Sequence, residues 1–166
     1  MPPQVLAELN RQLNHELSAA HAYLALSTWC AAQNLKGFAG FFAKQAGEER
    51  EHAGKFMQHL LDRGLAPELA AIPAPKQQFE SLSVVADLAQ TMEQANTAGI
   101  NQAYETAVAA KDYPAQVLLH WFIEEQVEEE AWAAEMVDRV QAATCAGSLL
   151  DLDRHIEKLL EPDAKD

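Results

Sequence analysis

Phe42, Gln45, Glu49, His52, Phe56 and Leu60 follow one another at steps of three and four, the spacing of one face of an α-helix. Glu49 and His52 therefore stand in line with core residues a turn above and a turn below. Three positions apart, their side chains leave the same face about a turn from each other and can hold one metal ion between them. A carboxylate desolvated alone would cost several kcal/mol even after relaxation. A buried Glu49 thus requires a cation or a raised pKa, and the fold has to supply one or the other.

The same interruption recurs elsewhere in the chain. A first helical segment, from residue 3 to about 34, opens on Pro3 and closes at Asn34-Leu35-Lys36-Gly37. Its stripe is Leu6, Leu9, Leu13, Glu16, Ala20, Tyr23 and Ser27. The Glu49 segment, about 38 to 63, is capped by Gly64, and Gly40, Gly47 and Gly54 inside it each cost roughly 0.5 to 1 kcal/mol relative to alanine. Tertiary packing must hold that helix. Gly47 and Gly54 flank the Glu48-Glu49 and His52 positions, so a looser helix there would bear on the rate of any chemistry at the site.

Pro67, Pro73 and Pro75 make about 65 to 81 a long connection. A third segment, about 82 to 110, carries Leu82, Val85, Ala89, Met92, Glu93, Asn96, Ile100 and Tyr104 on one side, with Glu93 at its edge. Lys111-Asp112-Tyr113-Pro114 leaves no room for a loop, so the fourth segment starts at once, antiparallel to the third, and runs to about 143. Its stripe reads Leu118, Phe122, Glu125, Glu129, Trp132, Met136 and Val140, with Glu128 alongside. A short amphipathic helix over about 148 to 161 carries Leu149, Leu152, Ile156, Leu159 and Leu160 and needs a bundle or a neighbour to pack on.

These elements specify an all-α chain of one domain over residues 1–166, a four-helix bundle over about 3 to 143 plus the short C-terminal helix. The long connection lets the second and third helices run parallel. A net charge of −13 and pI near 4.8 exclude phosphate-backbone binding and favour cations as clients. No basic n-region with an apolar core opens the chain, and no apolar run is long enough to span a membrane, so a cytoplasmic protein is expected. Cys30 and Cys145 form no Cys-x-x-Cys unit, which removes a structural zinc or rubredoxin-like iron site; both read as buried free thiols. Lys44, Glu48, Glu51 and Lys55 read as a solvated face.

With neighbouring helices antiparallel, Glu16, Glu49, His52, Glu93, Glu125 and Glu129 meet near mid-height. A glutamate from each of two helices plus Glu-x-x-His motifs from the others is how di-iron carboxylate bundles are built. Oxygen donors with one imidazole suit Fe(II), Mn(II) or Zn(II) without choosing among them. His15, His21, His59, His120 and His155 read as ordinary surface or packing residues.

The sequence Leu13-Asn14-His15-Glu16-Leu17 with Tyr23, Glu48-Glu49-Arg50-Glu51-His52, Glu93, Asp112-Tyr113-Pro114, Trp121 and Glu125-Gln126-Val127-Glu128-Glu129-Glu130 resembles the non-haem bacterial ferritins over essentially the whole chain. By that resemblance Glu16, Glu49 and His52 hold one iron, Glu49, Glu93 and Glu129 a second with Glu49 bridging, and Glu48, Glu125, Glu128 and Glu129 a third, more labile one. Gln126 matches the glutamine beside the pair, and Tyr23 the tyrosine that hydrogen-bonds the site and supplies an electron. The second Glu-x-x-His of bacterioferritins is missing, since Glu125 is followed three later by Glu128, and no haem is expected. The resemblance implies a ferroxidase that oxidises Fe(II) with O2 or H2O2 and stores ferric mineral inside a homo-oligomeric shell of 24 subunits, without nucleic-acid or membrane partners. The competing expectation is a non-catalytic bundle whose Zn(II) or Mn(II) serves stability or buffering.

Overall fold

Pro3 opens α1 (Pro3–Ala32), where its fixed φ and missing N–H suit the first turn. Three helices end alike, by a residue in the left-handed region followed by an amide that turns back to the last turn. Asn34 does this for α1, with Leu35 N–H donating to Cys30 O at 2.9 Å. Gly64 does it for α2 (Lys36–Asp62) and Lys111 for α3 (Leu82–Ala109), whose Asp112 N–H reaches Ala107 O at 2.9 Å. Ser81 caps the start of α3, and Asp112 caps α4 (Tyr113–Ala142) by accepting from Ala115 N–H at 3.2 Å while Arg63 grips its two oxygens at 2.7 and 2.9 Å. The last helix is α5 (Ala146–Leu160). The computed structural model describes residues 1–160, and the expected helix end near residue 161 lies outside them.

Two apolar layers show how the helices run. One gathers Tyr23, Leu26 and Cys30 from the end of α1, Phe38 and Phe42 from the start of α2, Val85 and Ala89 from the start of α3, and Met136 and Val140 from the end of α4. The other gathers Val5, Leu9 and Leu13 from the start of α1, Phe56 and Leu60 from the end of α2, Ile100 and Ala107 from the end of α3, and Ala115, Leu119 and Phe122 from the start of α4. Hence α2 and α3 point the same way and α1 and α4 the other. The link between α2 and α3 must travel back along the bundle, about 40 Å for a helix of this length. Asn10 and Asn14 of α1 pin it there: Asn10 Oδ1 accepts from Glu68 N–H at 2.9 Å, Asn14 Oδ1 from Ala70 N–H at 2.7 Å, and Asn14 Nδ2 donates to Glu68 O at 2.7 Å.

The helical phase differs from the expected stripes by one residue in several places. Val5, Leu119 and the pair Ala103 and Ala107 are buried where Leu6, Leu118 and Tyr104 were expected, and Met92 is only partly buried. Over 28 or 30 residues a helix drifts from any strict repeat, so small alanines take the crowded positions and long side chains lie along the flank. Cys30 is buried, which pushes its thiol up to about 12, with Asp153 adding to the effect. Cys145 is exposed, contrary to expectation, because it sits in the turn before α5 and points outward beside Ser148.

α5 packs across the start of α2, which has no capping side chain of its own. Asp153 supplies one from α5, accepting from Phe38 N–H at 3.0 Å. The approach is possible only because residue 37 is glycine: a Cβ there would lie 1.6 Å from the Asp153 carbonyl oxygen. Gly37→Ala is therefore expected to lift α5 off the bundle and uncap α2, lowering stability by about 1 to 3 kcal/mol. Limited proteolysis should then cut first near residues 143 to 146, and unchanged melting and cleavage would contradict the contact.

Candidate metal centre

Between the two apolar layers lies a layer of polar side chains from all four long helices. Glu16 of α1, Glu49 and His52 of α2, Glu93 of α3, and Gln126 and Glu129 of α4 are each 5% exposed or less. Each holds a position where the helical repeat demands a core residue, so the backbone delivers them to mid-height without any loop. Donor atoms of Glu16, Glu49 and His52 lie within 4.8 Å of one another, and so do those of His52, Glu125 and Glu129. His52 belongs to both trios. Its Nδ1 is 3.3 Å from Glu49 Oε2, and its ring is fixed edge-on against Trp121 and Phe122.

Each remaining carboxylate is oriented by a partner. Tyr23 O–H donates to Glu93 Oε1, and Gln126 Nε2 donates to Glu93 Oε2 at 3.3 Å. Trp132 Nε1 donates to Glu129 Oε2 at 2.5 Å. Glu16 receives one amide on each oxygen, from Gln12 Nε2 and Asn96 Nδ2, both at 3.2 Å. Asn96 also accepts from Gln12 at 2.5 Å and donates to Gln126 Oε1 at 3.3 Å, so a chain of neutral amides ties α1, α3 and α4 behind the acids. Neutral donors steady the carboxylates without cancelling their charge, which leaves that charge for a cation.

Burial dominates the electrostatics. It pushes Glu49 up to about 8, with Glu93, Glu129 and Glu48 adding repulsion against a hydrogen bond from Glu16 that opposes the rise. Glu16 is raised well above the ordinary range by burial first and by its closeness to Glu49 next. Burial likewise raises Glu93, against the Tyr23 and Gln126 bonds, and raises Glu129, with Glu93 repelling it and Trp132 opposing. Tyr23 is pushed well above its usual value by burial and by the Glu93 charge. This much stored proton affinity in one layer is what a divalent cation would displace.

Glu48, Glu125, Glu128 and Glu129 line a groove of about 530 Å³ between α2, α4 and the end of α5, together with Gln45 and Lys44. Glu48, read as part of a solvated face, is half-buried there, and burial is the main cause of its raised pKa. Glu125 lies on this groove rather than in the core stripe, which Gln126 occupies through the sequence Leu119, Phe122, Gln126, Glu129, Ala133, Met136 and Val140. Glu93 is 1% exposed, inside rather than at the edge, because Tyr23 and Gln126 reach it from α1 and α4. It joins neither trio, yet it is close enough to Glu49 and Glu129 to raise both.

Sequence reasoning overlooked Gln12, Asn96 as part of the site, and Trp132 as a donor. Gln12 stands one turn before Glu16 and Asn96 three residues after Glu93, which is the signal that could have found them. His15 and His59 are half-buried, and burial lowers both; His21, His120 and His155 are exposed.

Fold and site together define a four-helix bundle with a buried carboxylate and histidine centre able to bind divalent metal ions. A family model for the ferritin-like domain matches residues 6–143. The chain is 42% identical over 127 residues to the bacterial non-heme ferritin of Staphylococcus aureus strain MRSA252, covering 76% of each protein. It is 40% identical over 135 residues to that of Staphylococcus saprophyticus, covering 81% of each. An open pore ferritin from the archaeon Archaeoglobus fulgidus superimposes with a TM-score of 0.91 at 30% identity, covering 94% of this chain and 96% of the other. The chain belongs to the ferritin family.

Proposed function

We propose that this protein stores and detoxifies iron by oxidising Fe(II) at the polar layer and passing Fe(III) inward to a mineral held in a shell of its own copies. The observation that carries the reading is the trio Glu16, Glu49 and His52, fully desolvated between two apolar layers. In this reading Fe(II) is the substrate. Glu16, Glu49 and His52 take one ion; Glu49, Glu93 and Glu129 take its neighbour, with Glu49 shared; Glu48, Glu125, Glu128 and Glu129 take a third that comes and goes through the groove. Each Fe(II) of the pair gives up one electron. The two electrons and two protons convert O2 to H2O2, or H2O2 to two molecules of water, so a pair is the unit the oxidant requires.

The protein's part is to neutralise, position and shuttle protons. Cation entry would displace protons from Glu16 and Glu49, whose burial raises their proton affinity, and balance the charge of the ionised acids. Gln126 keeps Glu93 aimed, and Tyr23, donating to that same carboxylate, would give a further electron to the oxidant while its proton passes to Glu93, leaving a neutral phenoxyl radical. The family and the acidic surface support a shell, taken as 24 subunits, drawing cations toward it. No described helix is long and apolar enough to cross a membrane, and we place the protein in the cytoplasm.

Mixing metal-free protein with two Fe(II) per chain in air should give a ferric absorbance rise within seconds, far ahead of buffer alone. Oxidation at the buffer rate would refute the reading in favour of a bundle that binds Zn(II) or Mn(II) for stability. Chelation separates the two as well: removing a structural metal should collapse the melting temperature, whereas a substrate site leaves a folded bundle.

A further inference from the structure

The groove beside the centre contains a polar atom that the assigned acids leave unexplained. Gln45 of α2 forms part of its wall and is 5% exposed. Its Nε2 donates to Glu48 Oε2 at 2.6 Å, but its Oε1 is buried with no hydrogen-bond partner. A buried carbonyl oxygen left unpaired is destabilising, and such groups are rare unless something polar completes them. The amide cannot simply be turned over, because that would set Oε1 against the Glu48 carboxylate and leave two donors unpaired instead of one acceptor.

The chemistry around that oxygen selects its partner. Glu48, Glu125 and Glu129 line the same groove and supply only acceptors once ionised; the donors on its wall are Trp132, already given to Glu129, and the exposed side chains of Lys44 and Lys158. Lys44 is already drawn to Glu48 Oε1, at 3.9 Å from the solvent side. An unpaired buried oxygen among carboxylates, in a groove roomy enough for an ion and its waters, has the surroundings of a cation ligand. We propose that Gln45 Oε1 is a direct ligand of a divalent cation held between α2 and α4, and that its Nε2 holds Glu48 in position to share that ion. The inference deepens the labile third position of the function proposed above and rests on that reading for its biological use. It adds a neutral oxygen donor that binds without adding negative charge, which favours an ion that is held and then released.

Anaerobic calorimetry with Fe(II) tests it on the unmodified protein and on Gln45→Leu, Gln45→Glu and Glu16→Ala. The unmodified protein should bind two ions tightly and a third more weakly. Gln45→Leu should weaken the third at least tenfold and leave the first two unchanged, while its metal-free form melts no lower than the original, since an unpaired buried acceptor has gone. Gln45→Glu keeps an oxygen ligand and should keep the third ion. Three outcomes would overturn the proposal: no ion beyond the inner pair, a third ion indifferent to Gln45→Leu, or a third ion weakened as much by Gln45→Glu as by Gln45→Leu, since both lose the hydrogen bond to Glu48 and only Gln45→Glu keeps an oxygen. Glu16→Ala separates this inference from the proposed function. If the outer ion binds there and in the original protein, yet the original protein oxidises no iron in air, the oxidase reading fails and the Gln45 site stands.

Discussion

Glu49→Ala is expected to abolish rapid Fe(II) oxidation, by at least about 100-fold, since losing even an indirect support of a metal ligand costs about 10- to 100-fold. Among the described residues Glu49 shares the 4.8 Å trio with Glu16 and His52, and the charges of Glu93 and Glu129 act on it. In the proposed function removing it deprives both iron positions at once, and the remaining acids cannot span the gap because each is tied elsewhere: Glu93 to Tyr23 and Gln126, Glu129 to Trp132. Glu49→Gln should lose activity nearly as fully despite its matching shape, as a neutral amide neither balances nor bridges two cations. Stopped-flow absorbance with two Fe(II) per chain reads the result, and far-ultraviolet circular dichroism should be unchanged for both variants. Retained rapid oxidation in either would remove Glu49 from the centre of the chemistry.

Why Glu49 and His52 could be found without a structure, and others could not, follows from what a helical stripe records. A stripe states which side of one helix is buried. It therefore placed Glu16, Glu49, His52 and Glu129 correctly, each flanked by large apolar neighbours that fix the phase. It failed at α4, where five acids in a run blur that phase and Glu125 was assigned the core position that Gln126 fills. It placed Glu93 at the edge of a broad side, whereas the fold turns Glu93 inward to meet a tyrosine and a glutamine from two other helices. Partners of that kind live on separate segments and leave no mark in either one. The parallel run of α2 and α3 was legible from the proline-rich connection; the docking of α5 was not, since it turns on Gly37, a residue whose value is the absence of a side chain.

The same helices explain how the bundle tolerates its acids before iron arrives. Two apolar layers, above and below, carry the stability, and the polar layer is insulated between them by amides that neither add nor remove charge. Burial raises the proton affinity of these acids, so protons compete with cations for them. That affinity makes the metal-free protein answerable to pH, and the dependence can be worked out.

Metal-free protein is expected to lose stability as pH rises from 6.5 to 8.5. Burial raises Glu16, Glu49, Glu93 and Glu129 above the unfolded value of 4.5, Glu49 to about 8. Above 4.5 the unfolded chain has released protons that the folded protein still holds, so their stabilisation is complete below 4.5 and is lost as pH climbs through the folded values. His15 and His59 act oppositely, because burial lowers them, but their effect is spent by about 6.5, the unfolded value. Over the two units above that, Glu49 alone accounts for about 2 kcal/mol. A drop of that size corresponds to about 4 to 8 °C in melting temperature for a chain of this length. Redox-inert Zn(II) should reverse the trend, since a cation binds the ionised acids and displaces their protons. Glu49→Gln, having no proton to lose there, should show a shallower slope without metal. A metal-free melting temperature that stays level across this range would mean that the acids of the polar layer are already ionised, and that something other than bound protons keeps them apart.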